Sequence, residues 1–297
     1  MKRTAKNIVV ALAFLMAVGT VWAAQPVSES FPVGPGGEVD IDVLSGTVVI
    51  EAWSQNLVEV TGTLGDGVEG LDIDGDEDGV YIDVEYDEHY HGKQQVDTDL
   101  TIRVPAGAFL TVETVSASIS VAGVSGELDL ESVSGNVDVV TKPAALDIET
   151  VSGDIAVESA PADSDVSSVS GKIEIGAAGG SIDVENVSGK TMIHGGVIDD
   201  GDLESVSGDI TCHAMPGADG RLDIETMSGT ITFLIDAGLV ASFDLTTFSG
   251  SIQNQIGPEP KRTSKYTPGK ELYFNTGNGG PSISLESFSG SIKLITR

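Results

Sequence analysis

Leu146-Asp147-Ile148-Glu149-Thr150-Val151-Ser152-Gly153-Asp154-Ile155-Ala156-Val157 is the stretch that decides the fold of this chain. Apolar and polar residues alternate on both sides of Ser152-Gly153, the period-2 signature of two short strands that each bury one face. The strands are about five residues long, too short for helices. Glycine at the corner permits a positive φ, and serine can bond its local backbone there.

The corner phrase recurs. It reads Val133-Ser134-Gly135, Val151-Ser152-Gly153, Val169-Ser170-Gly171, Val187-Ser188-Gly189 and Val206-Ser207-Gly208. It continues as Met227-Ser228-Gly229, Phe248-Ser249-Gly250 and Phe288-Ser289-Gly290. The first four glycines are 18 residues apart, and the next gaps are 19, 21 and 21. A short fixed period means one structural unit stacked on copies of itself. The fold expected is all-β: a single-stranded parallel β-solenoid, or β-helix, with 18–21-residue coils and irregular capping segments. Inward slots are assigned to Leu146, Ile148, Val151, Ile155 and Val157, and in other coils to Leu128, Leu130, Val133, Val137 and Val139. Later coils place Leu222, Ile224, Met227, Ile231 and Phe233, then Phe243, Leu245, Phe248 and Ile252, in the same slots. Side chains grow as the coil lengthens, which predicts a core that widens toward the C-terminus. Half a period away lies a second corner of small residues and proline, as in Pro143-Ala144-Ala145, Pro161-Ala162 and Ala178-Gly179-Gly180.

The chain divides into four parts. Residues 1–23 read as a secretory signal: Lys2, Arg3 and Lys6, an apolar run from Ile8 to Val21, then Val21-Trp22-Ala23 as a cleavage site. Residues 24–103 form a divergent N-terminal β region that contains Leu44-Ser45-Gly46 and an acidic hairpin over 65–92. Residues 104–252 carry the regular coils. Residues 253–297 hold a loop insertion and a C-terminal capping coil. The location expected is outside the cytoplasm: periplasm, cell surface or medium. Cys212 is the one cysteine, so no disulfide framework is available. It falls in an inward slot and reads as a buried apolar residue.

Charge narrows the partners. The chain has 15 Lys and Arg against 46 Asp and Glu, a net −31. Removing residues 1–23 takes three cations and no acid, leaving 12 against 46, or −34. Nucleic acid is excluded as a general partner and anionic membranes are disfavoured. Cations and cationic partners fit.

Here the chain resembles the DUF4097 family of bacterial β-strand-repeat proteins, a group often labelled as adhesins. The residues that carry the resemblance are the signal, Arg103-Val104-Pro105-Ala106-Gly107, the repeated Glu-Thr/Ser-Val-Ser-Gly, and Phe288-Ser289-Gly290-Ser291-Ile292-Lys293-Leu294. The resemblance covers most of residues 31–297. It implies a parallel β-solenoid in the cell envelope and brings no catalytic residues with it.

Several residue groups carry candidate chemistry. Asp74, Asp76 and Asp78, with Glu85 beyond Gly79, match the calcium-loop pattern of carboxylates at positions 1, 3, 5 and 12. The flanks alternate like strands, however, and a tight hairpin turn accounts for the same letters. Calcium is the cofactor that this pattern implies. His89 and His91 follow Glu85 and Asp87 on one side of a strand, a set that could hold zinc. The repeated serines lack a partner base and read as a corner ladder rather than as nucleophiles.

Acidic residues share outward columns: Glu113, Glu131, Glu149, Glu185, Glu204, Glu225 and Glu286 in one, and Asp129, Asp147, Asp165, Asp183, Asp202, Asp223 and Asp244 in another. At about 5 Å a bare pair repels by roughly 0.8 kcal/mol in water, so stabilisation by salt or divalent cations is expected. Lys261, Arg262, Lys265 and Lys270 cluster with Tyr266 on the C-terminal loop and read as a docking site, including for the acidic face of another copy. The leading functional reading is a non-enzymatic exported protein that presents an acidic surface as an adhesin or envelope scaffold. A polysaccharide-binding or polysaccharide-cleaving β-helix and a calcium-dependent assembly module stay open beside it.

Overall fold

The computed structural model describes residues 25–65, 68–86, 98–266 and 268–297. The signal segment 1–23, Asp87, His89 and His91 lie outside the described residues. The described chain is all-β, with 26 strands in a continuous hydrogen-bonded system and no helix.

In the body of the molecule the sequence period becomes the stacking repeat. Leu128–Ser132 pairs in parallel with Leu146–Thr150, residue for residue at an offset of 18. Leu146–Thr150 pairs the same way with Asp163–Ser168, and that strand with the second half of Ile173–Asn186. On the opposite sheet Val137–Val140 pairs in parallel with Ile155–Ser159, and Ile155–Ser159 with the first half of Ile173–Asn186. Each coil thus advances the stack by one strand spacing, about 4.8 Å. Leu130, Ile148, Val166 and Val184 form one continuous buried column, and Val139, Val157 and Ile175 form another.

The pairing is mixed rather than purely parallel, which corrects the single-stranded parallel expectation. Antiparallel strands close both ends. Gln25–Pro32 pairs with Leu57–Leu64, which pairs with Thr98–Pro105, and Val68–Gly75 forms a hairpin with Gly79–Tyr86. At the other end Lys270–Asn275 lies antiparallel on Ser242–Thr247, with Lys261–Arg262 beyond it. A stack of parallel coils leaves an open strand edge at each end. Antiparallel strands reached through short turns cover those edges.

The terminal coils also change places with their neighbours. Ser282–Ser287 sits between Met215–Thr226 and Ser242–Thr247, parallel to both. Ser291–Thr296 likewise sits between Thr230–Ile235 and Ser251–Asn254. The expected capping coil within 253–297 is therefore the penultimate parallel layer, and residues 242–254 form the last one, beneath the antiparallel strands. The N-terminal end mirrors this: Glu38–Val43 lies between Gly79–Tyr86 and Phe109–Thr114.

The largest correction concerns the residue before Ser-Gly, which the alternation of apolar residues places in the core. It faces water: Val133 is 48 % exposed, Val151 47 %, Met227 55 % and Phe248 55 %. Strict alternation through Leu146, Ile148 and Thr150 makes Thr150 the inward residue. The corner then inserts two successive outward residues, Val151 and Ser152, before Gly153 turns inward again. The buried hydroxyl has a task there, because corner amides must be satisfied. Ser132 Oγ accepts from Gly135 N–H at 2.8 Å, Ser168 Oγ from Gly171 N–H at 2.8 Å and Ser205 Oγ from Gly208 N–H at 2.8 Å. Asn186 Oδ1 does the same for Gly189 at 2.7 Å.

The corner glycines are also explained differently. None of the eight from Gly135 to Gly290 has a positive φ, although Gly46 in the divergent N-terminal copy does (117°). A Cβ on Gly153 would stand 1.8 Å from the carbonyl oxygen of Gly135, and one on Gly171 would stand 1.8 Å from that of Gly153. These glycines permit close stacking of one corner on the next. Positive φ belongs to the second corner, at Gly180 (58°) and Gly196 (105°). That corner also absorbs the growth in coil length. The register shifts between Gly180 and Ser181, and residues 217–220 are accommodated between the pairs Ile198–Pro216 and Asp200–Arg221. Larger core residues do appear toward the C-terminus, where Phe233 and Phe243 are fully buried. The added residues themselves sit at the corner.

Candidate functional site: an apolar ladder in an acidic groove

Because the corner residue points outward in every coil, the stack displays a ladder. In spatial order it runs Leu44, Val115, Val133, Val151, Val169, Val187, Val206, Met227, Phe288 and Phe248, all with large exposed areas. Adjacent rungs are fixed by backbone bonds, such as Ser116 N–H to Leu44 O (2.8 Å), Ser152 N–H to Val133 O (3.0 Å) and Ser249 N–H to Phe288 O (2.9 Å). The serine hydroxyls reinforce them. Ser134 Oγ donates to Val115 O at 3.0 Å, Ser152 Oγ to Val133 O at 3.1 Å and Ser207 Oγ to Val187 O at 3.1 Å. The repeated serines therefore bond the backbone of the preceding coil, the role expected of a corner ladder.

Two residues before each rung runs the glutamate column. Glu113 stands opposite Glu131 and Glu131 opposite Glu149; Ser167 interrupts; Glu185, Glu204, Glu225 and Glu286 follow in register. The aspartate column, by contrast, is continuous from Asp129 to Asp223, and Ser284 then separates it from Asp244. Partial burial pushes the carboxyls of Glu131, Glu204 and Glu225 above the usual range, and the stacked carboxylates beside them push the same way. Asp147 and Asp183 are raised for the same reasons, burial first. Asp223 is raised by burial against the lowering pull of Arg221.

Ladder and column form the two sides of a groove. One section of about 650 Å³ is lined by Glu113, Glu131 and Glu149 with Val115, Val133 and Val151. A second of about 380 Å³ carries it on to Met227, Phe288 and Phe248. Glu185 and Val187 line both, so the sections join end to end. Aromatic rings mark the ends. Tyr86 lines the N-terminal section, and Phe248 and Phe288 stack at 4.8 Å with planes 7° apart at the C-terminal end.

The residues singled out for metal are not brought together. Asp76–Asp78 form the hairpin turn: Asp78 N–H donates to Asp76 Oδ1 (2.9 Å) and Asp76 N–H to Gly79 O (2.8 Å). Asp74 stands opposite Tyr81, and Glu85 lies opposite Gly70, well along the hairpin from the turn. Among the described residues no group of three or more His, Cys, Asp or Glu is placed to hold a metal ion. Cys212 is fully buried, and burial pushes its thiol up to about 12. Lys261, Arg262 and Lys265 are exposed on an arm at the C-terminal end, with Lys270 half-buried at its base.

The family model described as Toastrack DUF4097 matches residues 38–295. The chain belongs to that family. The match takes in every rung of the ladder and the whole of both acidic columns. No curated relative matches this member of the Toastrack DUF4097 family. Among solved structures, a protein of Parabacteroides distasonis described as a candidate lipid-binding protein is 15 % identical, with a TM-score of 0.49, over 91 % of this chain and 97 % of that one. A candidate adhesin of Bacteroides fragilis is 12 % identical, with a TM-score of 0.43 over the same shares. One from Parabacteroides merdae is 10 % identical, with a TM-score of 0.41, over 91 % and 96 %. Likenesses of this size carry no argument about what this chain binds.

The groove was the feature that sequence reading missed. Its signal was present in Thr150, Ser132 and Ser168, which continue the inward parity of the strand and push the following valine outward.

Proposed function

We propose that this chain is exported and serves, without catalysis, as an adhesin or envelope scaffold whose working surface is the groove. The observation that carries this reading is the unbroken exposed ladder. Ten neighbouring apolar side chains, each about half in water, form one continuous row, and contiguous exposed apolar surface marks interaction sites. A rigid coil stack holds that patch straight, as repeat architectures do for extended binding surfaces. The acidic column beside it favours cationic partners and repels anionic lipid and nucleic acid. The signal-like segment 1–23 agrees with an exported chain.

The test is a near-isosteric swap. Replacing Val133, Val151, Val169 and Val187 together by Thr keeps side-chain shape and strand preference but hydrates the ladder. Folding, read by circular dichroism and thermal melting, is expected to survive. Binding of labelled protein to intact cells or isolated envelopes is expected to fall. Unchanged binding by the folded variant overturns the assignment of the groove.

A further inference from the structure

We infer that the groove of one copy receives the cationic arm of a second copy, so that the chain assembles with itself head to side. This rests on the reading of the groove as the working surface and adds the identity of one occupant.

Two halves of a complementary contact are present on the one chain. The arm is the hairpin of Lys261–Arg262 with Lys270–Asn275, where Lys261 stands opposite Glu271 and Arg262 opposite Lys270. Four of the twelve Lys and Arg beyond residue 23 gather there. Among the described residues none of the four makes an ion pair, although acids outnumber cations severalfold. Tyr266 is 89 % exposed, and Lys265 Nζ lies 6.0 Å from the centre of its ring. A tyrosine flanked by cations is the side-chain combination that buries an apolar body while keeping charge at the rim. The groove offers the counterpart, with apolar rungs at Val133 and Val151 beside Glu131, Glu149 and Glu185. Column steps of about 4.8 Å place those carboxylates within the span of a five-residue extended segment, about 16 Å.

The contact must be made in trans. Lys270 pairs opposite Thr247, so the arm is anchored on the outermost C-terminal coil. Val151 lies six layers away along the stack, about 29 Å at one strand spacing per layer. An arm on one copy and a groove on another make a heterologous contact, which yields rings where the rotation between copies closes and open chains where it does not.

Net charge gives the assembly a signature. At about 0.01 M salt the Debye length is about 30 Å and two strongly acidic copies repel as wholes; at about 0.1 M it is about 10 Å and only neighbouring charges act; at about 1 M it is about 3 Å and the contact itself is screened. Association therefore peaks at intermediate salt.

The experiment is sedimentation velocity of residues 24–297 across that salt range. The wild type is expected to associate most strongly near about 0.1 M salt. The arm variant Lys261→Gln/Arg262→Gln/Lys265→Gln is expected to associate about tenfold or more weakly, the sum of three exposed charge contacts. A reversed arm, Lys261→Glu/Arg262→Glu/Lys265→Glu, mixed with a reversed groove, Glu131→Lys/Glu149→Lys/Glu185→Lys, is expected to form mixed assemblies that neither forms alone. The groove variant relieves like-charge stacking, so its fold is not at risk. A wild type that stays monomeric at every salt concentration, or an arm variant that associates like wild type, overturns the inference. Cell binding by the Val-to-Thr variant reads the groove separately: lost binding with no self-association removes only this inference, and unchanged binding removes both.

Discussion

Substituting Gly153 separates two reasons for a corner glycine, because Gly238 supplies the opposite case. At Gly153 the backbone is in an ordinary region, and a Cβ would fall 1.8 Å from Gly135 O. At Gly238 φ is +91° and nothing lies within 4 Å of the Cβ position. An ordinary contact needs more than 3.4 Å, so alanine at 153 must force its coil and the one before it apart by about a third of a strand spacing. That displacement acts on the bonds from Val151 N–H to Ser132 O (3.1 Å) and from Ser152 N–H to Val133 O (3.0 Å). Losing one or two of them costs about 1 kcal/mol each, and overpacking adds about 1–3 kcal/mol. Gly153→Ala is therefore expected to destabilise by about 2–5 kcal/mol, and Gly153→Asn by at least as much. At Gly238 the order reverses. Asparagine tolerates a positive φ better than alanine does, and neither meets a neighbour. Urea denaturation of the four variants at one ionic strength measures this. A Gly153→Ala variant within about 0.5 kcal/mol of wild type, or an asparagine advantage at 153 as at 238, would refute the close-stacking account.

Other expectations follow from the same geometry. Ile148→Ala removes a fully buried side chain and should cost about 2–5 kcal/mol, whereas Val151→Ser, only three residues on and half exposed, should stay within about 0.5 kcal/mol by the same urea assay. The carboxyls of Glu131, Asp147, Asp183, Glu204 and Glu225 are raised in the folded state, so the folded chain holds their protons more tightly than the unfolded one. Their contribution is then most favourable below the unfolded values of 3.8 and 4.5 and is lost as pH rises through the raised values. Glu174, lowered by Lys172 and His194, opposes this at a single site. In low salt the melting temperature should rise on acidification from neutrality toward that window, and a fall would contradict the stacked columns. Cys212, buried and with its thiol pushed up to about 12, should resist a disulfide-exchange reagent in the native state and react fully in denaturant.

Sequence alone made the repeating unit legible because three physical demands write the same letters into the coils from Gly135 onward, Ala117 being the exception beside Gly46. Alternation marks the strands, the close approach of corners demands Gly153 and its equivalents, and the carbonyl of the preceding coil takes up Ser152. The side on which Val151 falls was not legible from hydrophobicity, since valine is apolar in either place. Parity from Ile148 through Thr150 decides it, and a polar Thr150 in an inward slot conflicts with a pattern read by hydropathy. The exchange of terminal layers left no local mark. Residues 282–296 carry the same repeat letters as any other coil, and only the pairings Leu222–Ile283 and Phe243–Ile283 reveal that they lie between two earlier coils. The calcium pattern shows the opposite relation between letters and geometry. Its letters are satisfied along the chain, but an extended hairpin carries Glu85 away from the turn that holds Asp76 and Asp78.

The corner assigns its residues unequally. Thr150 is spent on the corner carbonyl at Gly153, Ser152 on the preceding coil and Gly153 on close approach. Val151 alone has a side chain that the corner does not use. Stacking supplies part of an explanation for an apolar residue there, because β-branched side chains pack well on neighbours one strand spacing away. Threonine would pack in the same way while hydrating its exposed half, and lysine would shield the apolar edge and offset the glutamates two residues earlier. Neither occupies any of the ten rungs, and the bulk at this position grows to Met227, Phe288 and Phe248, where two rings stack in the open. A position that the fold leaves free, filled ten times with residues that water disfavours and set beside a column of like charges that stability disfavours, is better accounted for by what the surface must hold than by what the coils need in order to stack.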